Sequence, residues 1–199
     1  MTSQLLRLFI AIELPGEVKQ ALAELQNRLQ RDLPPKVVRW VRPGAMHLSL
    51  RFLGDTPSER VDAVIDGMKS ATRGFTPFSL AVAGFGCFPN PRRARVLWAG
   101  VPQVPKGLTG LHRTTDLQMA KLGWSRERRA FTPHLTLGRV NKRVSSQDLR
   151  VLEKVLSRTS AGQLGNIPVG ELVLFRSQLQ PGGAVYTVLA RAPIFASRG

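Results

Sequence analysis

The chain carries the same short pattern twice, a histidine followed two positions later by a hydroxyl residue. The two copies read His-Leu-Ser-Leu at 47–50 and His-Leu-Thr-Leu at 134–137, a little under half the chain apart. In an extended strand alternate side chains lie on one face, so each histidine projects beside its hydroxyl while the leucines point into a core. Two such strands facing one another would bring two imidazoles and two hydroxyls into one cleft.

Two imidazoles and two hydroxyls in one cleft suit a nucleophilic attack on phosphorus. An in-line displacement needs a base on one side of the phosphorus atom and an acid on the other, and histidine, with an ordinary pKa of about 6.5, serves in either role near neutral pH. The hydroxyls of Ser49 and Thr136 can hydrogen-bond the non-bridging oxygens. His47 and His134 are therefore the candidate catalytic residues, whereas the third histidine, His112, has no hydroxyl partner.

Other kinds of site fit the sequence less well. Neither motif has a second histidine or a cysteine nearby, so we expect no metal and no other cofactor. Ser49 is not in a Gly-x-Ser-x-Gly turn, and side chains two apart on one strand are parallel, which disfavours a serine hydrolase. The single cysteine, Cys87, excludes a disulfide within the chain and favours a cytoplasmic protein.

Charge is the unusual part of the composition. The chain has 29 Lys and Arg against 13 Asp and Glu, a net charge of +16 over 199 residues. Such a surface attracts polyanions, which makes RNA, DNA or phosphorylated small molecules candidate partners, although arginine spread evenly over a solvated surface would give the same count. The length favours one domain spanning 1–199, and the apolar run near the N-terminus is too short to span a membrane.

The elements that must position the motifs follow from the hydrophobic pattern. Alternation and apolar runs predict strands, and spacings of three and four predict helices. Strands are predicted at 5–13, 37–41, 46–53, 78–85, 94–101, 130–140, 169–178 and 184–192, and helices at 16–33, 57–73, 106–122 and 146–157. This order indicates an α+β fold with antiparallel pairing. Because each histidine motif is a strand followed by a helix, we expect an internal duplication with two similar lobes.

These residues resemble the two-histidine (2H) phosphoesterases and, within them, the bacterial and archaeal RNA 2′,3′-cyclic phosphodiesterases, formerly called 2′-5′ RNA ligases. The matching segments are 7–15, Trp40, 47–54, 85–88, 96–98, 131–139 and 174–186. The resemblance implies a bilobal α+β fold in which two antiparallel sheets with flanking helices are related by a pseudo-twofold axis, with the active cleft between them. It also implies metal-independent hydrolysis of an RNA-terminal or nucleoside 2′,3′-cyclic phosphate to a 2′-phosphomonoester.

The resemblance also implies a role for each motif residue. His47 would be the general acid that protonates the departing 3′ oxygen, and His134 the general base that activates water. Ser49 and Thr136 would hold the phosphoryl oxygens; many relatives have threonine where this chain has Ser49. The sequence leaves open whether the acid and base roles are exchanged.

Four residues near the motifs are further candidates for substrate contact. The resemblance implies that Arg139 completes the anion site, but strict alternation puts it on the wrong face unless the strand bulges or ends at Gly138. By the same alternation Arg51 lies on the face of His47 and Ser49, so it is a second cationic candidate for the anion site. Trp40 or Phe52 could stack on a terminal base.

Two other functions stay open at this point. One is a non-catalytic RNA-binding module in which the histidines only contact phosphate. The other keeps the chemistry but acts on a small cyclic phosphate or a 2′-5′ linkage, including reverse ligation. In each case we expect a monomer whose partners are RNA 3′ ends or cyclic nucleotides, with the basic clusters at 92–95 and 126–129 available to the RNA backbone.

Overall fold

The computed structural model describes residues 4–181 and 183–195, where strands and helices alternate largely as the sequence predicts. The strands in this range are β1 Leu5–Glu13, β2 Val38–Trp40, β3 His47–Pro57, β4 Phe78–Phe88, β5 Val96–Gly100, β6 His134–Val140, β7 Gln163–Val169, β8 Glu171–Gln180 and β9 Gly183–Pro193. The helices are α1 Gly16–Asp32, α2 Val61–Thr72, α3 Lys106–Lys121 and α4 Ser146–Arg158. Single 3₁₀ turns lie at Pro43–Ala45, Ser58–Arg60 and Pro91–Arg93.

The strands form one antiparallel sheet, in the order β7-β4-β5-β6-β3-β1-β8-β9, with β2 paired to β6. The predicted α+β class and antiparallel pairing are confirmed. The two sheets that were expected are present as two halves, β9-β8-β1-β3 and β7-β4-β5-β6, which we call the first and second half-sheets. They join where β3 meets β6 at a single register pair, Leu48 with Leu135, so hydrogen bonding runs through both halves without a break.

The helices cover the core side of this sheet with apolar faces. In α1 the predicted stripe of Val18, Leu22, Leu25 and Leu29 is fully buried, which explains why this segment is helical despite its many charged residues. The same core contains the leucines that alternate with the motif residues on β3 and β6. Within the described residues no helix is both long and apolar enough to cross a bilayer.

The last third of the chain differs from the prediction. The strand expected over 169–178 is β8, and the structure has a further strand before it, β7, that was not predicted; Gly170 separates the two. The hydrophobic pattern did not predict β7 because this strand contains Gly165 and Pro168, residue types that disfavour a strand interior. They are tolerated here because β7 pairs only with β4, at the edge of the sheet. Strand β6 also starts later than expected, at His134, because Pro133 has no N–H for a ladder.

Candidate active site

The junction of the two half-sheets brings the histidine motifs together. Since Leu48 pairs with Leu135, one step along each antiparallel strand puts His47 across from Thr136 and Ser49 across from His134. The two histidines are then diagonal neighbours, which lie roughly 7–8 Å apart in such a ladder. That separation suits a phosphate hydrogen-bonded to both rings.

Both imidazoles are held in the same way. Nδ1 of His47 lies 3.0 Å from the carbonyl oxygen of Ala45, and Nδ1 of His134 lies 2.8 Å from that of Thr132, in each case two residues upstream. A carbonyl only accepts, so each Nδ1 donates its N–H. Nε2 is therefore the nitrogen left to give or take a proton, in both rings.

The surroundings of the two rings differ. The ring of His47 lies 4.5 Å from that of Phe9 and 5.1 Å from that of Tyr186, centroid to centroid. Phe9 belongs to a small apolar cluster that covers this side of the first half-sheet. The ring of His134 contacts only one of the described aromatic rings, that of Phe88, in a T-shaped pair with centroids 5.0 Å apart. His47 therefore sits in the more apolar environment.

Burial lowers the pKa of His47 from its ordinary 6.5 to about 4, although the hydrogen bond to Ala45 partly opposes this effect. Protonating the ring places a charge in an aromatic environment, which costs solvation energy. In the free protein the ring is therefore neutral at pH 7.

This burial predicts a pH dependence of stability. The unfolded chain protonates His47 near pH 6.5, whereas the folded chain protonates it only near pH 4, so the free energy of unfolding falls as the pH drops between these values. At about 1.4 kcal/mol per tenfold change in proton affinity, the loss is about 3 kcal/mol. Urea denaturation at several pH values, for the wild type and for His47→Gln, measures it. The stability difference between the two proteins should shift by this amount, and a constant difference would contradict the assignment.

A bulge in β6 turns Arg139 toward the face of the sheet that carries the histidines and hydroxyls of the two motifs, which we call the motif face. Thr136 pairs with Trp98 and Gly138 with Leu97, so Leu137 is an extra residue in the strand. This reverses the alternation, and Arg139 shares the face of Thr136, as its participation in the site requires. The guanidinium of Arg139 is also close enough to Tyr186 of the first half-sheet to oppose, by its charge, the rise that burial causes in the pKa of that phenol.

A buried glutamine holds this bulge. Nε2 of Gln26, on α1, donates to the carbonyl oxygens of Val41 and Leu137 at 2.8 and 2.7 Å, and the Leu137 oxygen also accepts the N–H of Val41. The extra residue thus keeps its carbonyl satisfied away from water. Gln26 was not singled out from the sequence. The available signal was a polar side chain on the apolar stripe of α1.

Arg39 is a further cation that sequence reasoning missed. It stands directly across from Arg139 in the pairing of β2 with β6, and both side chains are exposed. Among the described residues neither guanidinium has a carboxylate within ion-pair distance. Like charges directly opposite on neighbouring strands repel, so an anion bound between them would stabilise this arrangement.

The prediction for Arg51 was wrong. A bulge at Leu50, between the pairings of Ser49 and Arg51 with β1, puts Arg51 on the core side of β3, where it is 7% exposed. Its guanidinium donates to the carbonyl oxygen of Ser125, and its Nε lies 3.5 Å from Oδ1 of Asp116 on α3. Arg51 therefore ties β3 to α3 and to the segment that leads toward β6, and does not face the cleft.

The same bulge exposes Phe52 on the motif face. Its side chain is 65% exposed, and its ring lies 5.7 Å from that of Phe9. Phe52 thus occupies on β3 the position that Arg139 occupies on β6. Trp40, the other aromatic candidate, is half-buried and packs against the core beside Gly138, so Phe52 is better placed to stack on a ligand.

Within the described part of the chain, no group of three or more His, Cys, Asp or Glu side chains is placed to bind a metal ion. The junction brings together two imidazoles, two hydroxyls and nearby guanidinium groups. This set can bind a phosphate and transfer protons on either side of it.

Comparison with known proteins gives a consistent result. A family model described as LigT-like phosphoesterase matches residues 12–98 and again 100–186, so each match contains one histidine motif. An RNA 2′,3′-cyclic phosphodiesterase of Methanothermobacter thermautotrophicus is 32% identical over 181 residues, which are 91% of this chain and 95% of that protein.

Solved structures share the fold as well. The protein TT0787 of Thermus thermophilus superposes with a TM-score of 0.78 at 30% identity, over 96% of this chain and 100% of that one. The LigT of E. coli, crystallised with 3′-AMP, gives 0.75 at 28% identity, over 96% and 99%. On the family model and on this likeness in sequence and fold, the chain belongs to the LigT-like phosphoesterase family.

Proposed function

We propose that this protein hydrolyses the 2′,3′-cyclic phosphate at an RNA 3′ end to a 2′-phosphomonoester, without a metal. The observation that carries the proposal is the junction of β3 and β6, whose register makes the two imidazoles diagonal neighbours, each with Nδ1 bound to a backbone carbonyl and Nε2 left to exchange a proton. Relatives named RNA 2′,3′-cyclic phosphodiesterase support the substrate class, as do the LigT structures of E. coli with 3′-AMP and with phosphate.

In the proposed reaction, water attacks phosphorus as the bond from phosphorus to O3′ breaks. A base takes one proton from the water, and an acid gives one proton to O3′, so the charges on the two rings exchange. Hydroxyls of Ser49 and Thr136, together with Arg139, bind the non-bridging oxygens, whose negative charge grows in the transition state.

We assign the base role to His47 and the acid role to His134, the reverse of what the resemblance implies. Because burial lowers the pKa of His47 to about 4, its Nε2 is unprotonated and ready to accept a proton at pH 7. As an acid, the same ring would be charged within its aromatic surroundings before the reaction begins, whereas as a base it becomes charged only while negative charge grows on the phosphoryl oxygens.

We further propose that residues 1–199 are a single bilobal domain that arose by duplication. The support is the equivalence of the two halves. Each places its histidine at the start of a junction strand, bonds Nδ1 to the carbonyl two residues before, and has a bulge after the hydroxyl residue. We expect a cytoplasmic monomer, in line with the single cysteine.

The test of the function is a short RNA with a 2′,3′-cyclic end, incubated with the protein in the presence of EDTA. We expect a 2′-phosphomonoester, identified by mass and by its release of inorganic phosphate with a phosphatase. Binding of the RNA with no new monoester would overturn the proposal and indicate a binding module. A strong preference for a small non-nucleotide cyclic phosphate would instead overturn the RNA substrate.

Phe52 should stack on the terminal base. We expect Phe52→Ala to lower kcat/KM for a cyclic mononucleotide about tenfold through KM, because a base stacked on an aromatic ring contributes about 1–3 kcal/mol. Phe52→Trp should retain the wild-type value. Phe195, which is 69% exposed beyond the end of β9, provides the matched control, since Phe195→Ala removes an equally exposed ring. Equal effects of the two alanine variants would contradict the stacking role.

A further inference from the structure

An apolar pocket opens beside His134 in the second half-sheet. Its volume is about 430 Å³, and its walls come from β4, from the end of β5 with the loop that follows, and from the segment leading into β6. Trp98, Phe131 and Val104 are among the lining side chains, and His134 itself stands at the boundary with the catalytic cleft. Apart from His134, the groups that the proposed reaction uses are not among the lining residues.

Glycines give the pocket a flat aromatic wall. A Cβ atom at Gly86 would lie 2.6 Å from the indole of Trp98, and one at Gly100 would lie 3.2 Å from it. The absence of a side chain at Gly86 lets the indole lie against the backbone of β4, and a side chain at Gly100 would press on the same ring. A flat aromatic surface in an apolar pocket suits a nucleobase better than a sugar or a phosphate.

The segment that carries Phe131 also brings positive charge to this region. At its start, Arg126 and the N–H of Glu127 are bound to the buried carboxylate of Asp116. The next two residues, Arg128 and Arg129, are exposed, and the described residues place no carboxylate within ion-pair distance of either guanidinium. They are therefore available to a phosphate that passes over the segment.

We propose that this pocket, with Arg128 and Arg129, binds the nucleotide on the 5′ side of the cyclic end, an inference that rests on the function proposed above. Its base stacks on the indole of Trp98, and the phosphate joining the two nucleotides lies near the arginines. Because His134 borders both the pocket and the catalytic gap, a nucleotide joined to the terminal one can enter the pocket while the cyclic phosphate is in place. The site thus distinguishes an RNA end from a free cyclic nucleotide.

The experiment compares a cyclic mononucleotide with a dinucleotide that ends in the same cyclic nucleotide. We expect the wild type to have a kcat/KM about tenfold higher for the dinucleotide, mainly through KM. Val104→Trp, which places a bulky ring at the pocket wall on an exposed loop, should reduce this ratio to near one. Leu117→Trp is the control, since Leu117 lies on α3 and is 37% exposed; it should keep the wild-type ratio.

A ratio near one in the wild type, or an unchanged ratio in Val104→Trp, would overturn the pocket proposal. So would an equal loss for both substrates in that variant, because the pocket would then hold the terminal base. Equilibrium binding of the 2′-phosphorylated mononucleotide and dinucleotide measures the pocket without turnover. Tenfold tighter binding of the dinucleotide that is lost in Val104→Trp, in a protein that hydrolyses neither cyclic substrate, would support the pocket and overturn the proposed function.

Discussion

Replacing either His47 or His134 with glutamine should lower kcat for a cyclic phosphate end by on the order of 10²- to 10⁴-fold. Each substitution removes one of the two proton transfers that the displacement needs, while glutamine keeps a polar side chain of similar size. Binding should be largely kept, because the hydroxyls and guanidinium groups that we propose to hold the phosphate remain. Single-turnover hydrolysis with excess enzyme measures the chemical step, and a titration with the 2′-phosphomonoester measures binding.

The third histidine provides the matched control. The ring of His112, on α3, stacks on that of Phe131 with centroids 3.9 Å apart, and it has no hydroxyl partner of the kind found in the two motifs. His112→Gln should therefore hydrolyse a cyclic mononucleotide at close to the wild-type rate. Wild-type turnover in both motif variants would end the two-histidine mechanism.

The same variants separate the base from the acid. A cyclic substrate with sulfur in place of the bridging 3′ oxygen has a leaving group that needs no protonation. His134→Gln should recover most of its lost rate on that substrate, whereas His47→Gln should not, because water must still lose a proton. Recovery in His47→Gln instead would restore the roles that the resemblance implies.

Sequence periodicity predicted most of the elements because their burial is regular. The stripe on α1 and the alternation on β3 and β6 each bury one apolar face in the core, and this burial stabilises the helix or the strand. Periodicity also predicted that each histidine lies on the same face as its hydroxyl residue, because both residues come before the bulge in their strand. Sequence reasoning failed beyond them, because one extra residue reverses the alternation for the rest of the strand. For that reason Arg51, which alternation made a candidate for the cleft, is buried, and Phe52 is exposed.

Other contributors to the site could not be read from the pattern at all. Phe9 lies in a strand that is apolar on both faces, so periodicity does not show which of the two faces is turned toward His47. Arg39 reaches the site because β2 pairs with β6, and Tyr186 because β8, the neighbour of its own strand β9, pairs with β1; both pairings join strands distant in sequence. Long-range register depends on the complete sheet, whereas motif spacing reports only one strand at a time.

Removing the charge of Arg139 should lower kcat about 10²- to 10³-fold, the range typical for loss of one group that stabilises transition-state charge. We expect this for Arg139→Met, with a smaller increase in KM, because the non-bridging oxygens gain negative charge only as the displacement proceeds. Arg139→Lys should recover part of the rate, since an ammonium keeps the charge but loses the paired N–H geometry of a guanidinium. Steady-state kinetics on a cyclic mononucleotide separate the two parameters.

The control must distinguish a local contact from the general attraction of a protein with a net charge of +16. Arg150→Met removes one charge from the exposed surface of α4 and should leave kcat unchanged. The effect of Arg139→Met should also persist at high salt, which screens long-range attraction but not a direct contact with the phosphate. Loss confined to KM and abolished by salt would show that Arg139 only attracts the substrate. The bulge at Leu137, held by Gln26, would then have no part in the chemical step.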